Sequence, residues 1–285
     1  MSAVELRAIS DEDLPCAAAF LQEHMNRDIA IETWVRATTR TSSDSRPNAG
    51  FMLVASGVVV GVQLATYSER TLNGRRERFC ALGPLQVLPE HRFHGLRLLK
   101  QVVGQEGYHF VDPCPNDRVA AIDEKLGFQA LSSEIALIPN LPWPSRPGGC
   151  EISSDPRVLA RLLDGEVLEQ YRDHLDAPQS RHVVLREGGD ACWVMLRRER
   201  RKRLPLFAHL LHVSDRALLR RHAAAFARHL LVRHGTVAQL VEAHVLPRPA
   251  LAIAIAPTRR RMYRSASLRP GEVDYLYSEL VGLPA

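Results

Sequence analysis

The residues in this sequence that could do chemistry gather around one stretch, Cys80 to Lys100, which reads CALGPLQVLPEHRFHGLRLLK. An apolar run meets the turn Pro89-Glu90-His91-Arg92, then Gly95, then an apolar-periodic segment. That order predicts a strand feeding the N-terminus of a helix. The first turn of a helix leaves backbone N–H groups unpaired, and a glycine there lets an anion come close to them. Acid–base candidates lie on both sides, Glu69 and Glu77 before the stretch and His109, Asp112 and Cys114 after it. Each also has a plainer reading: the glutamates as solvated carboxylates, His109 as a core imidazole and Cys114 as an inert thiol. His91 and His94 have metal-ligand spacing on a helix, but no third ligand follows at a recognisable distance, so no metal is expected.

The elements that must position these residues follow from local signals. Residues 4–9 alternate in polarity and predict a short strand, and Ser10-Asp11-Glu12-Asp13 offers an N-cap and acidic first turn to a helix reaching about His24. A second helix is expected over Ile31–Arg40 and a loop over Thr41–Gly50. Phe51–Ala55 and Val58–Tyr67 flank Ser56-Gly57 as a hairpin, and the polar run Glu69 to Glu77 reads as a turn. Within the central strand, Gly83-Pro84 predicts a local opening, because proline donates no ladder hydrogen bond and glycine often marks a bulge. His91 to about Gln105 then reads as a helix with Leu96, Leu99, Val102 and Val103 on one face. Tyr108–Val111 is a buried strand, Asn116 caps a helix to about Lys125 with a stop at Gly127, and Ser133–Ile138 is the last strand of this half.

Residues 139–150, PNLPWPSRPGGC, break every period and mark a linker between a first domain, 1–138, and a second, 151–285. In the second, Pro156–Arg172 is helical, His182–Leu185 and Ala191–Arg197 form a hairpin, Leu204–Val213 is a strand, Asp215–Arg233 a long helix and Val237–Ala243 a strand. VDYLYSEL, Val273–Leu280, is the last clear element. The two halves share this order, the pattern of a duplicated architecture. The histidines His209, His212, His222, His229 and His244 have no carboxylate at triad-like or metal-like spacing. The run Arg197–Arg203 reads as a solvated connection between strands, or as a patch for an acidic acceptor or carrier protein.

Composition sets outer bounds. The 285 residues carry a formal charge of +5, and the basic excess suits an anionic ligand without requiring nucleic acid, which is not an expected partner. The five cysteines are scattered and never form C-x-x-C, which speaks for reduced thiols. No apolar run approaches the ~20 residues of a membrane span, and the first residues resemble no signal peptide, so a cytoplasmic protein is expected.

Val87-x-Pro89-Glu90-x-Arg92-x-x-Gly95 opening one helix, with Asn116 opening the next and Lys125-Leu126-Gly127-Phe128 closing it, resembles the GNAT superfamily of N-acyltransferases over about residues 4–138. The resemblance implies an α/β (α+β) fold, a mixed central sheet flanked by helices, and with the repeated element order it implies two tandem GNAT-like domains. In that family the first motif binds the pyrophosphate of coenzyme A through backbone amides, and the preceding strand, splayed from its neighbour, binds the pantetheine arm. The matching positions here are Leu85, Gln86 and Val87 for pantetheine, Arg92, Phe93, His94, Gly95, Leu96 and Arg97 for phosphate, and Asn116 from the second motif. The family pattern ends in glycine or alanine where this chain has Arg97, whose bulk obstructs the pyrophosphate or whose guanidinium adds a contact to it. Asp123 stands where many members carry a tyrosine that protonates the leaving thiolate. Leu82–Val87 offers no carboxylate, which leaves Glu69, His109 and Asp112 as catalytic candidates.

The function so implied is transfer of an acyl group from acetyl-CoA, a longer acyl-CoA or an acyl carrier protein to a primary amine on a small molecule or peptide, without a metal. The alternative is a non-catalytic protein that keeps the fold to sense acyl-CoA or to scaffold a partner. The second half has no glycine in the matching helix turn, so it is expected to lack a phosphate site.

Overall fold

The structure, a computed structural model, describes all residues except 1–2, 41–45, 132–133, 143–148, 178, 202–203, 250–251, 257–259 and 285. Most of the predicted 41–50 loop, the middle of the predicted linker and the end of the arginine run therefore lie outside the described residues.

The first part of the chain runs β1 (Val4–Ala8), α1 (Leu14–His24), α2 (Ile31–Thr39), β2 (Gly50–Ala55), β3 (Val58–Leu72), β4 (Arg75–Val87), a 3-10 turn (Pro89–His94), α3 (Gly95–Val103), β5 (His109–Asp112), α4 (Asp117–Lys125), β6 (Gln129–Ala130) and β7 (Ile135–Pro139). The start of α1 is a reciprocal box: the Asp13 amide donates to Ser10 Oγ at 3.2 Å and the Ser10 amide donates to the Asp13 carboxylate at 3.2 Å. The second part runs β8 (Glu151–Ser153), α5 (Pro156–Leu162), α6 (Gly165–Asp173), β9 (Ser180–Glu187), β10 (Asp190–Arg201), β11 (Leu204–Val213), α7 (Arg216–Arg221), α8 (Ala223–His234), β12 (Ala238–Glu242), β13 (Ile253–Ile255), β14 (Met262–Arg264) and α9 (Glu279–Gly282).

The strands form two seven-stranded sheets, ordered β1-β2-β3-β4-β5-β14-β6 and β8-β9-β10-β11-β12-β7-β13. Position by position the orders match, which supports the duplicated architecture, but the sixth strands are exchanged. The strand expected to close the first sheet, β7, instead pairs antiparallel with β12 and β13, while β14 pairs antiparallel with β5. The compact units are accordingly Met1–Gln129 with Arg261–Leu268 and Tyr277–Pro284, and Ala130–Arg260 with Arg269–Leu276, rather than halves cut at 139–150.

In the first unit the sheet is covered on both faces. Phe51, Leu53, Cys80, Leu82 and Phe110 pack against Leu98, Leu99, Val102 and Val103 of α3 and Ala120 of α4. Met52, Val62 and Leu64 face Ala17, Leu21 and Trp34 of α1 and α2. Each such buried Val, Leu, Met or Phe side chain contributes roughly 1.5–3 kcal/mol relative to exposure. The buried stripe of α3 includes Leu98, whereas Leu96, predicted to face the core, is 42% exposed.

Three further expectations change. Glu69 to Glu77 is no loop: β3 and β4 extend through it to the Asn73-Gly74 turn, with Glu69 opposite Arg78 and Arg70 opposite Glu77. The helices expected at 156–172 and 215–233 are each broken in two, at Leu163-Asp164 and at His222. Arg197 to Arg201 belongs to β10 rather than to a solvated connection. Among the described residues, no helix is long and apolar enough to cross a membrane.

Candidate active site

The site is built where two parallel strands part. β4 and β5 pair at Phe79 with His109, Cys80 with Phe110 and Ala81 with Val111. Beyond Ala81, β4 runs on to Val87 with β3 as its partner, and β5 ends at Asp112. The β3–β4 register shifts across Gly83-Pro84, as the sequence predicted, and the Gln63 side-chain amide donates to the Gly83 carbonyl at 2.7 Å. The edge of Leu82–Val87 turned away from β3 therefore faces a wedge. An unpaired strand edge offers backbone donors and acceptors to an extended, amide-bearing chain.

At the far end of β4 lies the predicted phosphate turn. Its backbone is wound as a 3-10 helix, in which the His91 amide donates to Leu88 and the Gly95 amide to Arg92. The amides assigned to phosphate are thus partly engaged with one another, the usual way a helix end tightens to satisfy its donors. Gly95 leaves open space, because a Cβ there would meet only a Val87 methyl at 3.6 Å. Phe93 is 65% exposed, and with His91, His94, Glu90, Val4 and Val60 it lines a cavity of about 610 Å³. The Arg97 guanidinium lies 3.1 Å from His94 Nδ1 and donates to the Val4 carbonyl at 3.5 Å. The His94 imidazole is held below its usual value by desolvation first, then by Arg97 and His91. Asn116 is the N-cap of α4, accepting from the amides of Arg118 at 3.1 Å and Val119 at 3.0 Å.

The catalytic candidates separate. Glu69 pairs with Arg76 at 2.7 Å, and its strand partner Arg78 lies three residues before Ala81, roughly 10 Å along the strand from the opening. His109 sits at the closed end of the β4–β5 pairing, with Nε2 at 2.9 Å from Glu77 and Nδ1 at 2.9 Å from Ser265 Oγ. Ser265 Oγ also accepts from the amides of Ser267 and Leu268, so its hydroxyl is free to donate to His109, and Nε2–H to Glu77.

Asp112, by contrast, is the first β5 residue past the last pairing with β4. It shares a face with Phe110 and is 7% exposed. Below it on α4 is Asp123, with no exposed surface and no hydrogen-bond donor to either carboxyl oxygen. Burial first, then the charge of Asp123, then that of Glu279, hold the Asp112 carboxyl well above the usual carboxylate range. Burial pushes Asp123 up to about 6. Glu279 belongs to α9, which packs on α2; a Cβ at Gly282 would lie 2.7 Å from that of Ala37, so only glycine permits the approach. Arg261, 5% exposed, donates to the Pro113 carbonyl beside Asp112. Sequence reasoning set Asp123 at the place of the family's tyrosine but gave it no role, and it missed Glu279. A polar residue at the inward position of α4, one helical turn after Ala120, was a further signal.

No protein-family model and no curated protein matches the sequence. Solved structures match the fold. A GCN5-related N-acetyltransferase from Anabaena variabilis is 12% identical, covers 92% of this chain and 72% of its own, and has a TM-score of 0.59. One from Kribbella flavida is 14% identical, with 92% and 71% covered and a TM-score of 0.58. Eis1 from Mycobacterium abscessus is 14% identical, with 92% and 73% covered and a TM-score of 0.54. The fold is the GNAT fold.

The second GNAT-like unit differs in chemistry. Its β11 and β12 also pair in parallel at three positions, ending at His209 and Leu240. At the following helix, however, the Asp215 carboxylate accepts from the amides of Ala217 at 2.8 Å and Leu218 at 2.9 Å. The first amides of this helix are thus taken up by a carboxylate of the chain itself. Three of its histidines meet carboxylates that lie at no recognisable spacing from them in the sequence. Buried His209 lies 3.0 Å from Glu199 and 3.1 Å from Glu242, which accepts from the Tyr275 hydroxyl at 2.7 Å. His212 lies 2.8 Å from Asp274, and His222 lies 3.1 Å from Glu187. His229 and His234 both reach Ser154 Oγ at 2.8 Å.

Proposed function

We propose that this chain is an N-acyltransferase whose chemistry lies in the first unit, moving an acyl group from a coenzyme A thioester to a primary amine. One observation carries the reading: the parting of β4 from β5 directly after Ala81 and Val111, with a carboxyl at its apex and a glycine-containing, arginine-flanked turn at its far end. A pantetheine arm laid along Leu85–Val87 would complete the open strand edge with its own amides. Arg92 and Arg97 supply positive charge to the pyrophosphate, and the space beside Gly95 admits it once the 3-10 turn relaxes. The reaction needs an uncharged amine, a group to take its proton, and a proton for the leaving sulfur. The acidic cluster of Asp112, Asp123 and Glu279 lies at the thioester end of that path, whereas Glu69 and His109 lie behind the closed part of the sheet.

The acceptor is an amine on a small molecule or peptide, and the donor is acetyl-CoA or a longer acyl-CoA. An acyl carrier protein donor is tested by the same experiment. Thermal unfolding is measured with acetyl-CoA, a long-chain acyl-CoA, free CoA and a phosphopantetheine-loaded carrier protein, because a ligand of the native state raises its stability by mass action. A rise with CoA species is expected; no rise with any of the four sinks the reading. Thiol release across a panel of primary amines then separates an enzyme from a protein that only senses acyl-CoA. The second reading is favoured by the missing tyrosine at Asp123, and binding without release would establish it.

A further inference from the structure

We propose that Asp112 and Asp123 hold one proton between them at the apex of the β4–β5 opening, and that this proton goes to the sulfur of the departing thiol. The inference rests on the acyl-transfer reading of the first unit and names the group that replaces a phenol there. Two carboxylates have no hydrogen to share, and both oxygens of Asp123 lack a donor in a place without exposed surface. A buried acceptor left unsatisfied in this way is costly, and more so when charged. A single proton removes the conflict, turning the contact into an O–H···O⁻ hydrogen bond and cutting the buried charge from two to one. Other charged groups near the pair include Glu279 from α9, whose charge opposes ionisation of Asp112, and Arg261, which donates to the Pro113 carbonyl and reaches Cys114 Sγ at 3.7 Å. The Cys114 amide donates to Asp112 at 3.2 Å and fixes its orientation.

The placement matters because an isolated aspartic acid, with an ordinary value near 3.9, is ionised at neutral pH and cannot act as an acid. A carboxyl kept protonated by an apolar, like-charged setting can. Asp112, at the mouth of the opening, is the member that meets the sulfur; Asp123 is a positioning residue that keeps it protonated. In the transfer, the amine nitrogen bonds to the thioester carbon as the carbon–sulfur bond breaks, and that electron pair stays on sulfur. The sulfur takes the shared proton and leaves as a thiol. The nitrogen gives up one proton on becoming an amide, and that proton refills the pair.

Infrared difference spectra of the full chain at about pH 7.5 test the stored proton without turnover, since normal carboxyls are ionised there. The carbonyl stretch of a protonated carboxylic acid is expected in the wild type, absent from the Asp112→Asn, Asp123→Asn double variant, and shifted by added CoA. No such band, or a band indifferent to CoA that demonstrably binds, overturns the proposal whatever the activity. With any amine that is acylated, Asp123→Asn is expected to lower kcat about 100-fold, leave KM for acetyl-CoA within about threefold, and abolish the fall in rate at high pH. Asp123→Glu is expected to restore part of that rate. Equal loss in both variants with an unchanged pH profile assigns Asp123 to structure alone and overturns the catalytic role. A CoA-sensitive band with no amine acylated instead refutes the acyl-transfer reading, so the two failures are told apart.

Discussion

Replacing Asp123 by asparagine is expected to stabilise the protein at neutral pH, by an amount that shrinks as the pH falls. The substituted amide would keep the shape of the side chain, cannot ionise, and could donate a hydrogen to Asp112. In the folded protein burial raises the Asp123 carboxyl from 3.8 to about 6. A carboxyl raised on folding contributes fully to stability below its unfolded value, and loses that contribution as the pH climbs through the folded one. Above both values the fold bears the whole cost of the buried charge, ~3 kcal/mol at 1.36 kcal/mol per pH unit. The asparagine variant is free of that cost. It should therefore melt roughly 6–12 °C above the wild type near pH 8, using about 2–4 °C per kcal/mol for a chain of this size, and close to it near pH 4. Thermal melts across that range for Asp123→Asn, Asp112→Asn and the double variant supply the comparison, with the double effect smaller than the sum because the pair shares one proton. A gap that does not change with pH, or a variant less stable than the wild type at pH about 8, would refute the reasoning.

Other outcomes follow from the same geometry. Arg92→Ala combined with Gly95→Trp should remove the CoA-induced rise in melting temperature, and retained binding by calorimetry would contradict the donor site. Asp215→Ala should cost about 1 kcal/mol by loss of its two amide contacts while leaving donor affinity unchanged; weakened CoA binding would mean that the second unit takes part. Glu242→Ala removes the acceptor that His209 and Tyr275 share in a buried place, and denaturant unfolding should show a loss of roughly 3 kcal/mol or more.

What the sequence by itself determined is what neighbours along the chain decide. The helix entry at Ser10, the Ser56-Gly57 turn, the opening at Gly83-Pro84, the Asn116 cap and the left-handed stop at Gly127 are each set within a few residues, and all were legible. The same local signals set out the two repeats and the strand-to-helix stretch at Cys80–Lys100, where the donor site is proposed. Local polarity misled where the protein lengthens its strands: Glu69–Glu77 and Arg197–Arg201 look like solvated turns, yet cross-strand pairing carries them into sheets. The tertiary structure alone decided the exchange of β7 and β14, because the pairing of Phe110 with Arg264 joins residues 154 positions apart, and no periodicity encodes such a partner. It also decided the chemistry of the apex. Asp112 was one candidate among several in the sequence, Asp123 only a departure from the family's tyrosine and Glu279 unremarked, and a carboxyl becomes a proton store only when the fold removes its water and sets another carboxyl beside it.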